Sequence, residues 1–219
     1  MVGTLSDILS VSLQVALIAT LVVMVPGALT GYVLSRFRFP GKRLLSALVL
    51  MPLVLPPTAV GFLLLELFAD NGPLGRKSLG VDLDLLLTWK GAVVASAFMA
   101  LPLVVRTARV TFDGLDPRHE RVAQTLGYSR AHALWRFVLP AARRGLVAAA
   151  LLAFARSLGE FGATVMVAGN IPGKTQTLAS AMWAADQAGE ASAARVLLCV
   201  ALGIGLVATL LAERFSSRD

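Results

Sequence analysis

The sequence predicts an all-α integral membrane protein, built as a single domain over residues 1–219 with five transmembrane helices. Of its 219 residues, 57% are hydrophobic and only 15% are charged, and the mean hydropathy is +0.76. Soluble domains are about 45–50% apolar and about 25% charged. A chain of this size cannot bury so much apolar surface behind a polar shell. This composition excludes a soluble enzyme, a disordered chain and a disulfide scaffold.

Five apolar stretches are long enough to cross a bilayer, which takes about 20 helical residues. They lie at about residues 8–34, 44–68, 91–110, 145–167 and 194–212. The second contains Pro52, Pro56 and Pro57. Because a proline removes a backbone donor and frees a carbonyl that lipid cannot satisfy, these prolines predict a bent span. We interpret the bend either as a face toward a partner helix or pathway, or as a structural kink alone.

The distribution of lysine and arginine predicts the orientation, because these residues collect in cytoplasmic loops. Fourteen of the twenty lysine and arginine residues lie after the first span, after the third span or in the C-terminal tail. Five lie in the other connections. Arg156 lies within the fourth span. The N-terminus is therefore predicted outside and the C-terminus inside. The net charge of +7 follows from the same bias, since no basic run is interleaved with the stacking aromatics that nucleic-acid binding requires.

The long cytoplasmic connection, at about residues 113–140, is predicted to hold two short helices. Asp116 is expected to cap the first helix, and Gly127 is expected to end it in the left-handed conformation. Ser129 is expected to cap the second helix, which Pro140 ends or bends. Arginines alternate here with apolar residues. The connection is therefore either a basic amphipathic element on the bilayer surface or a plug for a partner's groove.

Two charged residues fall inside the fourth predicted span. Arg156 and Glu160 are four residues apart, a spacing at which side chains on a helix meet. An isolated charge at bilayer depth costs about 2.5–3.5 kcal/mol, so the two are expected to face the bundle interior and pair. The pair either fixes helix packing, helps an anion through, or holds a gate. Small neighbours predict a dimer or pathway surface: Ser157, Gly159, Gly162, Ala163 and Thr164.

Several kinds of chemistry have no motif in the sequence. It contains no G-x-x-x-x-G-K-[ST] phosphate loop, so ATP hydrolysis by the common mechanism is not expected on this chain. We recognise no nucleophile–base pair and no metal-ligand cluster, and we expect no catalytic residue, cofactor or metal site. His119 and His132 are expected to be ordinary surface residues.

The connection at 113–140 resembles the cytoplasmic loop of permeases from binding-protein-dependent ABC importers. That loop follows the pattern E-A-A, three residues, G, nine residues, I, any residue, L-P. This chain has the matching residues in the same register: Ala123, Gly127 and Phe137-Val138-Leu139-Pro140. It departs from the pattern at three places, with Arg121 for the acid, Val122 for the first alanine and Phe137 for isoleucine; Glu120 lies one place before the position of the acid.

Further segments are similar to those of the molybdate permeases in this family. They are the run Ser157-Leu158-Gly159-Glu160-Phe161-Gly162-Ala163, the run Gly169-Asn170-Ile171-Pro172-Gly173-Lys174-Thr175, and Phe39-Pro40-Gly41-Lys42. Sulfate and thiosulfate permeases have related but distinguishable segments. The resemblance covers almost the whole chain.

The resemblance implies the MetI-like permease fold, and a membrane-spanning subunit of an ATP-driven importer of molybdate across the bacterial cytoplasmic membrane. It also implies a homodimer, two separate ATP-binding subunits that hydrolyse ATP, and an extracytoplasmic molybdate-binding protein. Importers of sulfate, thiosulfate or tungstate are the alternatives. A secondary transporter or channel without an ATPase would predict inverted repeats, which we do not find. A membrane scaffold would leave the prolines and the fixed loop spacing unexplained.

The resemblance also implies site residues. Coupling to the ATPase is expected from Glu120, Arg121, Ala123, Leu126, Gly127, Phe137 and Pro140. The candidates for the pathway or gate are Pro56, Thr58, Arg156, Ser157, Glu160, Gly162 and Thr164.

Overall fold

The computed structural model describes residues 3–216, except for the side chains of Leu79, His119, Glu120 and Ser216. All regular secondary structure in the described residues is helical. The helices are α1 (Leu5–Arg36), α2 (Lys42–Val54), α3 (Pro57–Phe68), α4 (Arg76–Leu79), α5 (Trp89–Asp113), α6 (Arg118–Thr125), α7 (Arg130–Ala133), α8 (Leu139–Leu158), α9 (Gly162–Ala168), α10 (Leu178–Gln187) and α11 (Ala191–Ser216). A π-helical turn, Leu134–Val138, joins α7 to α8.

Four helical stretches among the described residues are long and apolar enough to cross a membrane: α1, α5, residues 130–158 and α11. α2 and α3 form a further candidate together, and they are bent by 112° at the break between them. The predicted bend in the second span is therefore confirmed. It lies at Pro56 and Pro57, because Pro57 can occupy the first position of a new helix without losing a hydrogen bond. Pro52 lies inside α2 without ending it.

The predicted fourth span, at about 145–167, does not coincide with one helix. The helix begins at Arg130 and runs to Leu158. Pro140 does not end it, because Leu139 N–H bonds the carbonyl of Leu134 in the π-helical turn, five residues back. A widened turn accommodates the missing donor and the ring of a proline at the next position. At the other end α8 stops at Gly159, and the chain continues as the separate helix α9.

The core is formed where α1 and α5 pack closely together. A Cβ atom at Gly31 would lie 2.8 Å from Cβ of Ala108, and one at Gly27 would lie 2.6 Å from a methyl carbon of Val104. These glycines let the two backbones approach, as small residues do at helix contacts in membranes. α8 completes this core with Ala149 and Ala153, which are fully buried.

A second close contact joins α3 to α9. A Cβ atom at Gly61 would lie 2.8 Å from Cα of Ala163, and one at Gly162 would lie 2.8 Å from Cβ of Pro57. Ala163 and Thr164 are buried inside the chain. Packing within one chain therefore covers these two of the five small residues that predict a dimer or pathway surface, whereas Gly159 is exposed.

Two helices leave much of their surface uncovered by this chain. Pro52 is the one buried residue of α2. α11 packs against α8 and α10, but Leu202, Leu206 and Leu210 on its other side are exposed. In a membrane protein such apolar faces contact lipid or another subunit.

Candidate functional site

The coupling segment, residues 113–140, is anchored to the ends of α1 and α5. Ser35 Oγ donates a hydrogen bond of 2.6 Å to Asp113 Oδ1, and Arg36 Nη2 donates one of 3.0 Å to the carbonyl of Leu115. These bonds join residues almost eighty positions apart in the chain. The base of the segment therefore moves with the membrane bundle rather than as a free loop.

An apolar cluster lies beneath these polar contacts. Leu134 and Val138 of the π-helical turn are buried against Tyr32 and Phe112. The Tyr32 and Phe112 rings meet edge-on, with centroids 5.4 Å apart. Burial of large apolar and aromatic side chains stabilises such a contact by about 1.5–3 kcal/mol per residue. The second half of the segment is thus part of the folded core.

The two short helices of the segment meet at a sharp turn. Gly127 has a φ of +89°, a left-handed conformation that favours glycine, and its N–H donates to the carbonyl of Gln124 at 3.0 Å. Ser129 Oγ accepts a hydrogen bond from His132 N–H. The predicted left-handed stop and serine cap are confirmed. Asp116 accepts a hydrogen bond from Arg118 N–H at 2.8 Å, but the N-cap of α6 is Pro117, one position later than predicted.

The tip of the segment exposes apolar side chains next to arginines. Leu126 and Trp135 are each 72% exposed, and Arg121 of α6 is exposed too. Phe137 is partly covered, because its ring meets Tyr128 edge-on at 5.5 Å. A large exposed apolar group held on a rigid base is typical of a surface that enters a partner's groove.

Ala123 of α6 is only 3% exposed, in contrast to the side chains at this tip. We expect Ala123→Asp to detach α6 from α7 and the π-helical turn, because a carboxylate buried without a partner costs several kcal/mol. Co-purification with the ATPase subunit would measure the loss. Ala141→Asp is the matched control, since Ala141 is exposed at the start of α8. Equal co-purification of both variants would contradict the packing role of Ala123.

Within the membrane bundle, Arg156 and Glu160 form an ion pair across the end of α8. Arg156 Nη1 lies 2.7 Å from Glu160 Oε2. Glu160 is 1% exposed and its other oxygen, Oε1, accepts from Ala163 N–H at 2.8 Å, in the first turn of α9. Both carboxylate oxygens are therefore satisfied. The expected pairing is confirmed, but the two residues do not lie on one helix, since Glu160 lies beyond the end of α8.

The break between α8 and α9 lies against the break between α2 and α3. A Cβ atom at Gly162 would lie 2.8 Å from Cβ of Pro57 and 3.2 Å from Thr58 N. Pro56 and Thr58 are exposed, and the Arg156 side chain is 30% exposed. Interrupted helices at membrane depth are tolerated where they border protein or an aqueous cavity. The structure thus brings Thr58, Gly162 and the ion pair to one region.

The remaining predicted residues differ in their surroundings. Ser157 is buried, and its hydroxyl has no hydrogen-bond partner among the residues that the structure describes. Thr164 is also buried, with its hydroxyl donating to the carbonyl of Phe161 at 2.9 Å. Glu120 belongs to α6, but its side chain lies outside the described residues. Pro140 follows the π-helical turn at the start of α8.

Two residues that anchor the coupling segment, and one that packs within it, were missed by the sequence reasoning. Ser35 and Arg36 end the first span, and Arg36 had counted only as one cytoplasmic charge. Tyr128 stacks on His132 at 5.0 Å between ring centroids. Tyr128 could have been identified from the sequence, because it is an aromatic residue directly after Gly127. No local pattern reveals the first two, since their partners are distant in sequence.

Comparisons with known proteins show the family to which the chain belongs. The family profile described as "Binding-protein-dependent transport system inner membrane component" matches residues 12–218. The chain is 39% identical over 205 residues to the "Molybdenum transport system permease protein ModB" of Escherichia coli (strain K12). The aligned region covers 92% of this chain and 89% of that protein.

Two further similarities are informative. The "Sulfate transport system permease protein CysT" of Salmonella typhimurium is 39% identical over 197 residues, covering 90% of this chain and 71% of that protein. A chain of the bacterial alginate ABC transporter, solved in complex with an alginate pentasaccharide-bound periplasmic protein, has a TM-score of 0.72 at 14% identity, with 97% of this chain and 80% of that chain covered. That structure shows the fold. This multi-pass membrane protein belongs to the family of inner-membrane components of binding-protein-dependent transport systems.

Proposed function

We propose that this chain is the membrane-spanning permease subunit of an ABC importer for molybdate, driven by a separate ATPase. The observation that carries the proposal is the continuous helix at residues 130–158, which joins the coupling segment to the ion pair. Its 29 residues span about 43 Å at about 1.5 Å per residue. One rigid element therefore links the exposed tip on one side of the bundle with the helix breaks inside it.

The coupling segment would sit in a groove on the ATPase subunit. Leu126 and Trp135 provide the apolar contact, and neighbouring arginines provide a charged rim. Closure of the ATPases on ATP would displace the tip, and the helix at 130–158 would carry that displacement to Arg156. The bundle would then exchange between inward-open and outward-open states, as a two-state element biased by nucleotide.

Molybdate is proposed as the cargo because the relatives named as molybdenum permeases match over most of both chains. The sulfate permease relative extends well beyond the matched region. Arg156 is already neutralised by Glu160, and it offers an anion little net charge. Selectivity is therefore assigned mainly to an extracytoplasmic binding protein that delivers molybdate.

The proposed assembly is a homodimer with two ATPase subunits and one binding protein. Five spans enclose too little space for a wide path through one copy, and α2 and α11 present uncovered apolar faces. ATP hydrolysis is placed on the ATPase, and the permease itself is non-catalytic. With the predicted orientation, the N-terminus faces the binding protein and the coupling segment faces the ATPase.

Anion uptake by reconstituted vesicles tests the proposal. Proteoliposomes holding this chain and its ATPase, with the binding protein outside and ATP inside, are expected to accumulate molybdate. An excess of sulfate or thiosulfate should leave molybdate uptake largely unchanged. Competition by tungstate, the nearest alternative cargo, is measured in the same way. Steady molybdate flux without the ATPase would overturn the coupling mechanism. Uptake of sulfate in preference to molybdate would overturn the cargo and leave the mechanism standing.

A further inference from the structure

A basic pocket lies on the same side of the bundle as the coupling segment, between the start of α2 and the end of α5. Its polar lining comes from Arg38, Lys42, Arg43, Ser46 and Arg109, around a cavity of about 590 Å³. The side is fixed by Arg36, just before the pocket, which bonds the carbonyl of Leu115 in the coupling segment. The functions proposed above make no use of this pocket.

The positive charge of this pocket is poorly neutralised by the protein. No carboxylate is found among its described lining residues. Arg109 Nε lies 3.7 Å from Asp113 Oδ2, and the Lys42 ammonium donates to the carbonyl of Phe37 at 3.1 Å. Arg38 and Arg43 have no ion-pair partner among the residues that the structure describes. At least two whole positive charges therefore face one concave surface, which attracts anions.

Helix α2, which begins at the pocket, adds to this excess of positive charge. The N-cap of α2 is Gly41, which has no side chain to accept a hydrogen bond from the first turn. That turn contains no acidic residue and begins with Lys42 and Arg43. Cations at a helix N-terminus oppose the helix dipole, whereas an anion there is favourable. A bound anion would compensate both the helix end and the four cations.

The surface next to the pocket favours a lipid over a free ion. Arg43, Ser46, Leu50 and Leu53 lie at positions i, i+3, i+7 and i+10, so they share one face of α2. Leu53 is exposed, and most of α2 is uncovered. A headgroup in the pocket would therefore place its acyl chains along an apolar helix face.

We propose that this pocket binds the phosphate headgroup of an anionic glycerophospholipid in the leaflet on the coupling-segment side. Basic pockets at this depth bind such headgroups, because several cations act on one phosphate at the membrane surface. The lipid would tie the start of α2 to that leaflet, next to the end of α5. This inference does not depend on the identity of the transported anion.

Native mass spectrometry of the purified full chain tests this assignment. In micelles supplied with phosphatidylglycerol or phosphatidylcholine, the wild type is expected to retain phosphatidylglycerol preferentially. Arg38→Gln/Arg43→Gln should weaken this binding by about 25-fold, since each basic residue near the membrane surface contributes about fivefold. The matched control is Arg143→Gln/Arg144→Gln, which removes two exposed arginines outside the pocket. It is expected to bind phosphatidylglycerol as the wild type does.

Two further arms separate the possible sources of the phosphate. Arg38→Lys/Arg43→Lys keeps the charge and should restore binding, which distinguishes loss of the site from misfolding. Inorganic phosphate at millimolar concentration should not displace the lipid. Displacement by inorganic phosphate would overturn the lipid assignment in favour of a free anion. Equal losses in the pocket variant and the control would overturn the site itself.

Discussion

Replacing Gly127 with proline is expected to abolish coupling to the ATPase while the protein still inserts into the membrane. Gly127 has a φ of +89° and donates its N–H to Gln124, and proline permits neither. The turn between α6 and α7 would open at a cost of about 3 kcal/mol, enough to weaken ATPase binding more than about tenfold. Co-purification and ATP-dependent molybdate uptake would both measure this loss.

Gly127→Asn is the matched control for that prediction. Asparagine tolerates the left-handed conformation, and a Cβ at this position would meet no atom within 4 Å. The asparagine variant should retain most of the ATPase binding and uptake. Gly127→Ala is expected to fall between the two, since alanine costs about 1 kcal/mol in this conformation. Normal uptake by the proline variant would show that the turn does not transmit force.

A large loss of stability is expected when the ion pair between Arg156 and Glu160 is broken. Glu160→Leu leaves the Arg156 guanidinium without its carboxylate and removes the acceptor for Ala163 N–H at the start of α9. Removing the buried partner of such a pair costs up to about 3–5 kcal/mol, because Arg156, only 30% exposed, loses its counter-charge and the buried Ala163 N–H loses its acceptor. The melting temperature in detergent is therefore expected to fall by several degrees, and less folded protein should reach the membrane.

The double variant Arg156→Met/Glu160→Leu separates packing from transport. Because both carboxylate oxygens are already satisfied within the chain, we expect the pair to fix the junction of α8 and α9. The double variant should then recover much of the stability lost in each single variant. Its uptake per folded molecule should approach the wild type. Recovered stability without uptake would instead assign the pair to the gate, and purely additive losses would contradict the coupling of the two residues.

Local rules, which relate a residue to its neighbours in the sequence, predicted the turn of the coupling segment well. The left-handed glycine and the serine cap at Ser129 each depend on residues within a few positions, and both are present. The apolar spans were equally accessible, because each long helix needs only its own composition to be recognised. The bend in the second span was predicted from the prolines for the same reason.

The fourth span shows where local rules fail. Pro140 and the arginines around it predicted a boundary between the connection and the span, but one helix continues through this region. Packing of Leu134 and Val138 against Tyr32 and Phe112 accompanies the π-helical turn that accommodates the proline. The opposite end was misplaced because Glu160 lies beyond the end of α8, where its carboxylate accepts a hydrogen bond from Ala163 N–H in the first turn of α9.

The sequence by itself determined that the protein is helical and membrane-spanning, where its apolar stretches lie, and which residues form the turn of the coupling segment. Only the tertiary structure decided that the two helix breaks adjoin, that Ser35 and Arg36 hold the coupling segment, and that basic residues from α2 and α5 share one pocket. The physical reason is the distance along the sequence between the residues that interact. Helix formation and capping are encoded in neighbouring residues, whereas close contacts such as Gly162 with Pro57 depend on how distant helices pack, and no periodicity records that.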